Sequence, residues 1–114
     1  MIDYNKDIRT ALETILPTIH EMVLTSNSPT PCISYQERDN AAQETGNTIG
    51  YSRILYTVKV WDTSIADIQT YAKQIDNVLR PMGFTRVSSN ELYDYNSTMI
   101  QKIMTYECRA IETF

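Results

Sequence analysis

The chain has little of what most chemistry requires: among 114 residues there are one histidine, two cysteines and three glycines. Three glycines leave no Gly-rich loop of the kind that cradles a phosphate. The histidine, His20, has no cysteine or second histidine at a metal-ligand spacing, so it reads as a partly exposed helix residue. Carboxylates are plentiful. Pairs such as Glu37 with Asp39, or Glu91 with Asp94, arise by chance among 14 acidic residues and nominate no acid–base dyad. Neither an enzyme nor a cofactor site is expected.

Other absences narrow the class further. No apolar run approaches the ~20 residues needed to cross a bilayer, so no membrane partner is expected. The N-terminal Met1-Ile-Asp-Tyr-Asn-Lys-Asp lacks the basic and apolar segments of a signal peptide, which points to synthesis in the cytoplasm. There is no basic excess: the net charge is −4 and the pI about 4.8. That weighs against tight nucleic-acid binding, whose main term is phosphate neutralisation by Lys and Arg. It leaves open a surface past which DNA slides without sticking. Cys32 and Cys108 read as two small buried apolar residues in a reducing compartment, near each other or far apart. At 42% hydrophobic and 21% charged, the chain has the balance of one ordinary globular domain spanning 1–114.

What is present centres on Tyr51-Ser-Arg-Ile-Leu-Tyr-Thr-Val-Lys-Val-Trp61. The run alternates with the period that sends successive side chains to opposite faces of a strand, and no Gly or Pro interrupts it. Ile54, Tyr56, Val58 and Val60 form the face to be buried. Arg53, Thr57 and Lys59 form a wetter face that also carries Tyr51, Leu55 and Trp61, too aromatic to be explained by water alone.

Around that strand, residues 3–24 read as one amphipathic helix, capped by Asp3 or Asn5 and bent at Pro17, with Ile8, Leu12, Ile15, Ile19 and Met22 as its stripe. Thr25–Pro31 is a polar loop, Cys32–Gln36 a short strand, and Asp39–Gly50 a long connection or hairpin tip. Ser64 with Asp67 marks the start of a second helix. Its stripe runs through Ile65, Ile68, Ala72, Ile75, Leu79 and Met82; Pro81 stops it near Leu79, and Gly83 supplies the left-handed terminator. Phe84–Ser89 is a third strand, Asn90–Thr98 a turn region with Tyr93 and Tyr95, and Met99–Ile111 a second long strand. The order α-β-β-α-β-β predicts a two-layer α+β domain: a mainly antiparallel sheet with both helices on one face.

Eight tyrosines are many for this length. Tyr56 and Tyr106 belong to packing. Tyr51, Trp61, Tyr93 and Tyr95 are harder to bury in so small a domain and suit either local packing or an interface. Arg53, Lys59, Glu107 and Arg109 give the second sheet face mixed charge, read as a solvated face or as pairing with a neighbouring copy.

Taken in order, Ile33-Ser-Tyr35, a polar loop with Gly46, the Tyr51–Trp61 strand, Met82-Gly-Phe-x-Arg86, Leu92-Tyr-Asp94 and Lys102 followed by Tyr106-Glu107 resemble the tail terminator or tail-completion proteins of long-tailed bacteriophages and prophages. These are hydrophobic-pattern motifs spread over most of the chain, not chemical signatures. The resemblance implies a compact α+β structural protein of the virion tail or neck, made in the host cytoplasm. It caps the tail tube as a six-membered homo-oligomeric ring and joins it to the head. The implied partners are further copies of the chain, the tail tube protein and head-completion or connector proteins, with DNA passing through unbound. In that setting Tyr51, Arg53, Leu55, Lys59, Trp61, Glu107 and Arg109 are the expected interface, and the loop with Asp39, Glu44 and Asn47 the expected docking element. A head-completion protein, or a small nucleic-acid- or ligand-binding module using the open sheet face, is the alternative.

Overall fold

Residues 2–16, 19–21, 31–44, 49–95 and 99–113 are described by the structure, a computed structural model. Its centre is the pairing of β3 (Ile49–Asp62) with β5 (Met99–Thr113), antiparallel and unbroken from Ile49 opposite Thr113 to Asp62 opposite Ile100. At the usual rise per residue β3 is about 45 Å long. Outside this pair lie β2 (Cys32–Glu44) against β3 and β4 (Thr85–Asp94) against β5, both antiparallel. A three-residue β1 (Ile19–Glu21) runs parallel to Ile33–Tyr35, giving the order β1-β2-β3-β5-β4.

The alternation expected for the central strand is what the sheet shows. Ile54, Tyr56, Val58 and Val60 are all within 1% of complete burial, beside Met104, Tyr106 and Cys108 of β5. Two helices, α1 (Asn5–Glu13) and α2 (Ile65–Leu79), cover that face. They bring Ile8, Leu12, Ile68, Ala72, Ile75 and Leu79 into one cluster with the sheet residues. Each fully buried aliphatic side chain contributes about 1.5–3 kcal/mol relative to exposure. The fold is α+β with both helices on one side, as the sequence predicts.

Polar contacts tie the layers. The Tyr56 hydroxyl donates to Asn5 Oδ1 at 2.7 Å, and the Tyr106 hydroxyl to Asp76 Oδ1 at 2.5 Å. Burial first, then Asp76, raises the Tyr106 pKa, so its phenol stays protonated and donating at neutral pH. Lys102, nearly buried between α2 and β4, donates to Gln69 Oε1 and Glu91 Oε1, both at 3.1 Å. Cys32 and Cys108 are free and buried on opposite sides of the sheet. Burial, with Asp62 nearby, pushes the Cys32 thiol up to about 11.

Four local expectations are corrected. The first helix ends at Glu13, not residue 24, and Ile19 and His20 lie in β1. The residue before a proline is steered out of the α region, so the chain leaves the helix ahead of Pro17 rather than bending through it. Met22 and Val23 lie outside the described residues, as does most of the Thr25–Pro31 loop. The helix is capped through Asp3, whose Oδ1 accepts from Asn5 N at 2.9 Å, although Tyr4 occupies the cap position.

The second strand does not stop at Gln36. It bulges between Glu37 and Asp39 and continues to Glu44, so Asp39 and Glu44 are strand residues opposite Leu55 and Gly50, while Asn47 lies outside the described residues. Backbone pairing with β3 holds this polar segment where its side-chain pattern carries no signal. Likewise β4 runs on to Asp94 and takes Tyr93 with it. Among the described residues the strands thus number five, β1 being the addition.

The end of α2 follows the expectation closely. Ser64 accepts from Asp67 N at 3.3 Å, the helix stops at Leu79, a 3₁₀ turn spans Arg80–Met82, and Gly83 sits at φ 94°. A methyl group at Gly83 would meet only Cys108 Sγ at 3.6 Å, an ordinary contact, so the constraint is the backbone angle itself. Gly83→Ala is expected to lose about 1 kcal/mol in urea unfolding with no change in the slope.

Candidate interaction surface on the open sheet face

With both helices on one side, no described helix covers the other face of the sheet. The strand register brings the seven predicted residues together there. Tyr51 stands opposite Ile111, Arg53 opposite Arg109, Leu55 opposite Glu107, Lys59 opposite Ile103 and Trp61 opposite Gln101. On the β2 side, Asp39 lies opposite Leu55 and joins the same face, and Glu44 pairs with Gly50 at the end of the strand.

Like charges placed directly across a sheet repel, and Arg53 and Arg109 are so placed. Glu107 resolves the conflict: its Oε1 accepts from Arg53 Nε at 3.2 Å and from Arg109 Nε at 3.1 Å. Its side chain is 18% exposed, against 42% for Arg53 and 66% for Arg109. Hydrogen bonds from Arg53, then Arg109, hold the Glu107 carboxyl below the usual carboxylate range. The Arg109 guanidinium also lies 5.8 Å from the centre of the Tyr51 ring, within cation–π reach.

Beyond this trio the face dips into a trough of about 570 Å³ lined by Arg38, Leu55, Thr57, Lys59, Ile103 and Thr105. Among the described residues neither Arg38 nor Lys59 pairs with a carboxylate. Arg38 was not legible as a face residue, because the bulge between Glu37 and Asp39 breaks the alternation that would have placed it. Trp61 is half-buried with its Nε1 enclosed and, among the described residues, without an acceptor.

The remaining candidates fall elsewhere. Tyr93 and Tyr95 pack edge to face at 4.8 Å at the far end of β4, 48% and 85% exposed. Glu91 is held by Lys102 and Gln69 rather than facing Asp94 as an acid–base partner. No group of three or more His, Cys, Asp or Glu among the described residues could hold a metal ion. No described helix is long and apolar enough to cross a membrane.

Because Glu107 is more acidic folded than unfolded, its stabilising contribution is fully present above the unfolded value and is lost as pH falls through the folded one. Glu107→Gln is expected to lower the urea midpoint relative to the parent chain at about pH 7, and the gap should narrow as the pH falls below the usual carboxylate range. Added salt should narrow the gap at neutral pH, since the arginines are exposed.

No protein-family model matches the chain, and no curated protein sequence matches it. Among solved structures the fold is similar to a chain described as the virion of a native gene transfer agent particle, with a TM-score of 0.70 and 11% sequence identity over 91% of each chain. At that identity the likeness shows the fold.

Proposed function

We propose that this chain is a structural protein of a long-tailed phage or prophage virion, which closes the tail tube as a ring and joins it to the head. The carrying observation is the open sheet face, where aromatic residues and a shared Arg–Glu–Arg contact sit with no described helix over them. The similar fold in a gene transfer agent virion and the sequence resemblance to tail terminators both support this reading.

The role asked of the chain is assembly, not catalysis. Half-buried Tyr51, Leu55 and Trp61 supply contact area, and Arg53, Glu107 and Arg109 supply charges of both signs for a neighbouring copy. The ring has six subunits, meets the tail tube protein on one side and head-completion or connector proteins on the other, and passes DNA without sequence recognition. The chain's negative net charge suits a passage that must not grip phosphate.

Light scattering on the concentrated protein, with micrographs of the peak, is expected to show rings of six times the 13.1 kDa chain, in solution or once tail tubes are added. Trp61→Ala and Arg53→Ala should weaken assembly while leaving the monomer folded. A chain that stays monomeric and ignores tubes would remove the reading. Arg38 and Lys59, with no carboxylate partner among the described residues, favour a second reading, nucleic-acid binding by the same trough, which would appear as DNA affinity falling steeply with salt.

A further inference from the structure

Two bulges border the Tyr56–Tyr106 row of the sheet, one between Glu37 and Asp39 in β2 and one between Arg86 and Ser88 in β4. Bulges sharpen the local twist and re-aim side chains. Beside them lies the trough of about 570 Å³, in which Thr57 and Thr105 stand directly opposite each other. Thr57 is only 8% exposed, although no described helix covers this face. The β2 bulge adds Arg38 to the lining, where regular pairing would seat Asp39 alone against Leu55. Lys59 lines the trough two residues beyond Thr57. The neighbouring charges are engaged: Arg53 and Arg109 share Glu107, and Asp39 Oδ1 accepts from Asn40 N at 3.0 Å. The trough therefore offers two cations, two hydroxyls and the aliphatic walls of Leu55 and Ile103 to a negatively charged group.

The complement lies on the opposite layer of the same chain. Asp3 and Asp7, about one turn apart at the start of α1, are exposed, and Glu37 of β2 is half-buried. The Tyr56 hydroxyl joins the two elements, 2.7 Å from Asn5 Oδ1 and 3.4 Å from Glu37 Oε2. Burial first, then Glu37 and Asp3, raises the Tyr56 pKa, which places both carboxylates in electrostatic reach of one phenol. Asp3 uses one oxygen to cap α1. Among the described residues none of these three carboxylates is held by a lysine or arginine. The cations of α1 are Lys6, between Asp3 and Asp7 in the chain, and Arg9, which is bound to Glu13. With Lys6 counted, the patch stays acidic.

We propose that Arg38 and Lys59 of one copy engage Asp7 and Glu37 of the next, with Asp3 alongside, so that the open face of each subunit docks on the start of α1 of its neighbour. The two surfaces differ and lie on opposite layers, so the contact is heterologous and repeats: it closes a ring or runs on as a filament. It names the neighbour's side of the contact that the assembly reading requires, and it rests on that reading. A second copy suits the trough better than DNA does. Its two cations without a carboxylate partner among the described residues are too few to track a phosphate backbone, and the chain is itself acidic, with a net charge of −4.

Two double variants test the pairing by light scattering of the concentrated full chain at about 0.15 M salt, where nonspecific attraction is screened. Arg38→Glu with Lys59→Glu makes both surfaces acidic, and Asp7→Lys with Glu37→Lys makes both basic. Each alone is expected to stay monomeric. An equimolar mixture is expected to regain the parent's assembly, since every trough then meets a patch of opposite sign. Lys73→Glu with Arg80→Glu, the same charge change at exposed positions in and just after α2, should leave assembly intact. Arg38→Gln, also at an exposed position, should weaken association about tenfold with the urea midpoint in place, and it serves as the test if a reversed chain fails to fold. Parent-like rings from either reversed variant alone would overturn the proposal and leave the assembly reading standing. A mixture of folded variants that does not assemble would overturn it, as would an equal loss from the Lys73 and Arg80 control. A parent chain still monomeric at about 1 mM has no such contact and overturns it too, leaving the assembly reading to be decided on tail tubes. Unchanged self-association with loss of DNA retention in the trough variant would give the trough to nucleic acid and overturn it as well.

Discussion

Tyr56 and Tyr106 stand directly opposite one another at the middle of the sheet, and the two layers hang on that pair. Each ring is buried to within 1% and adds apolar area to the core, while each hydroxyl reaches a different helix: Asn5 at the start of α1 and Asp76 in α2. Phe84, just after the left-handed Gly83, packs edge to face on Tyr56 and on Tyr4, so the helix terminator, the N-terminal segment and the sheet centre meet in one aromatic stack. A phenol satisfies two demands that conflict elsewhere in a core: large apolar burial, and a donor for a polar group on the covering layer.

Because that pair commits one face of β3 and β5 to the helices, the opposite face is left for charge and half-buried aromatics. The Arg53–Glu107–Arg109 contact is a consequence of register. Two arginines that the pleat sets against each other become tolerable only because Glu107, on the same face and two residues away, bridges both. The functional reading rests on this division of labour, a rigid packed side and a chemically varied open side, rather than on any constellation of reactive groups.

Much of this was legible because its signals are short-range. Strict alternation over Tyr51–Trp61, the Ser64 cap and the Gly83 terminator each depend on a few adjacent residues, and each stands where it was read. The seven face residues were legible for the same reason, since parity alone assigns a strand residue to a face. The errors came where tertiary pairing overrules local pattern. Ile19 continues a helical stripe by spacing, yet in the structure it pairs with Ile33 in a parallel strand beyond Pro17. The polar run Asp39–Glu44 has the composition of a loop, but β3 offers it a complete backbone partner. Arg38 was missed because a bulge leaves no trace in side-chain order.

The charge on this molecule is unevenly sorted. Between Lys59 and Arg109 the open face carries Arg38, Arg53, Lys59 and Arg109 against Asp39 and Glu107, leaving six basic and twelve acidic residues elsewhere. The isoelectric point averages this away; the field around the molecule does not. An acidic chain with a positive sheet face is an electric dipole directed across the thickness of the fold. At low ionic strength it turns before it touches, presenting the sheet face to any negatively charged body. Encounters in a crowded assembly would then be pre-aligned by rotation, long before a single side chain comes into contact.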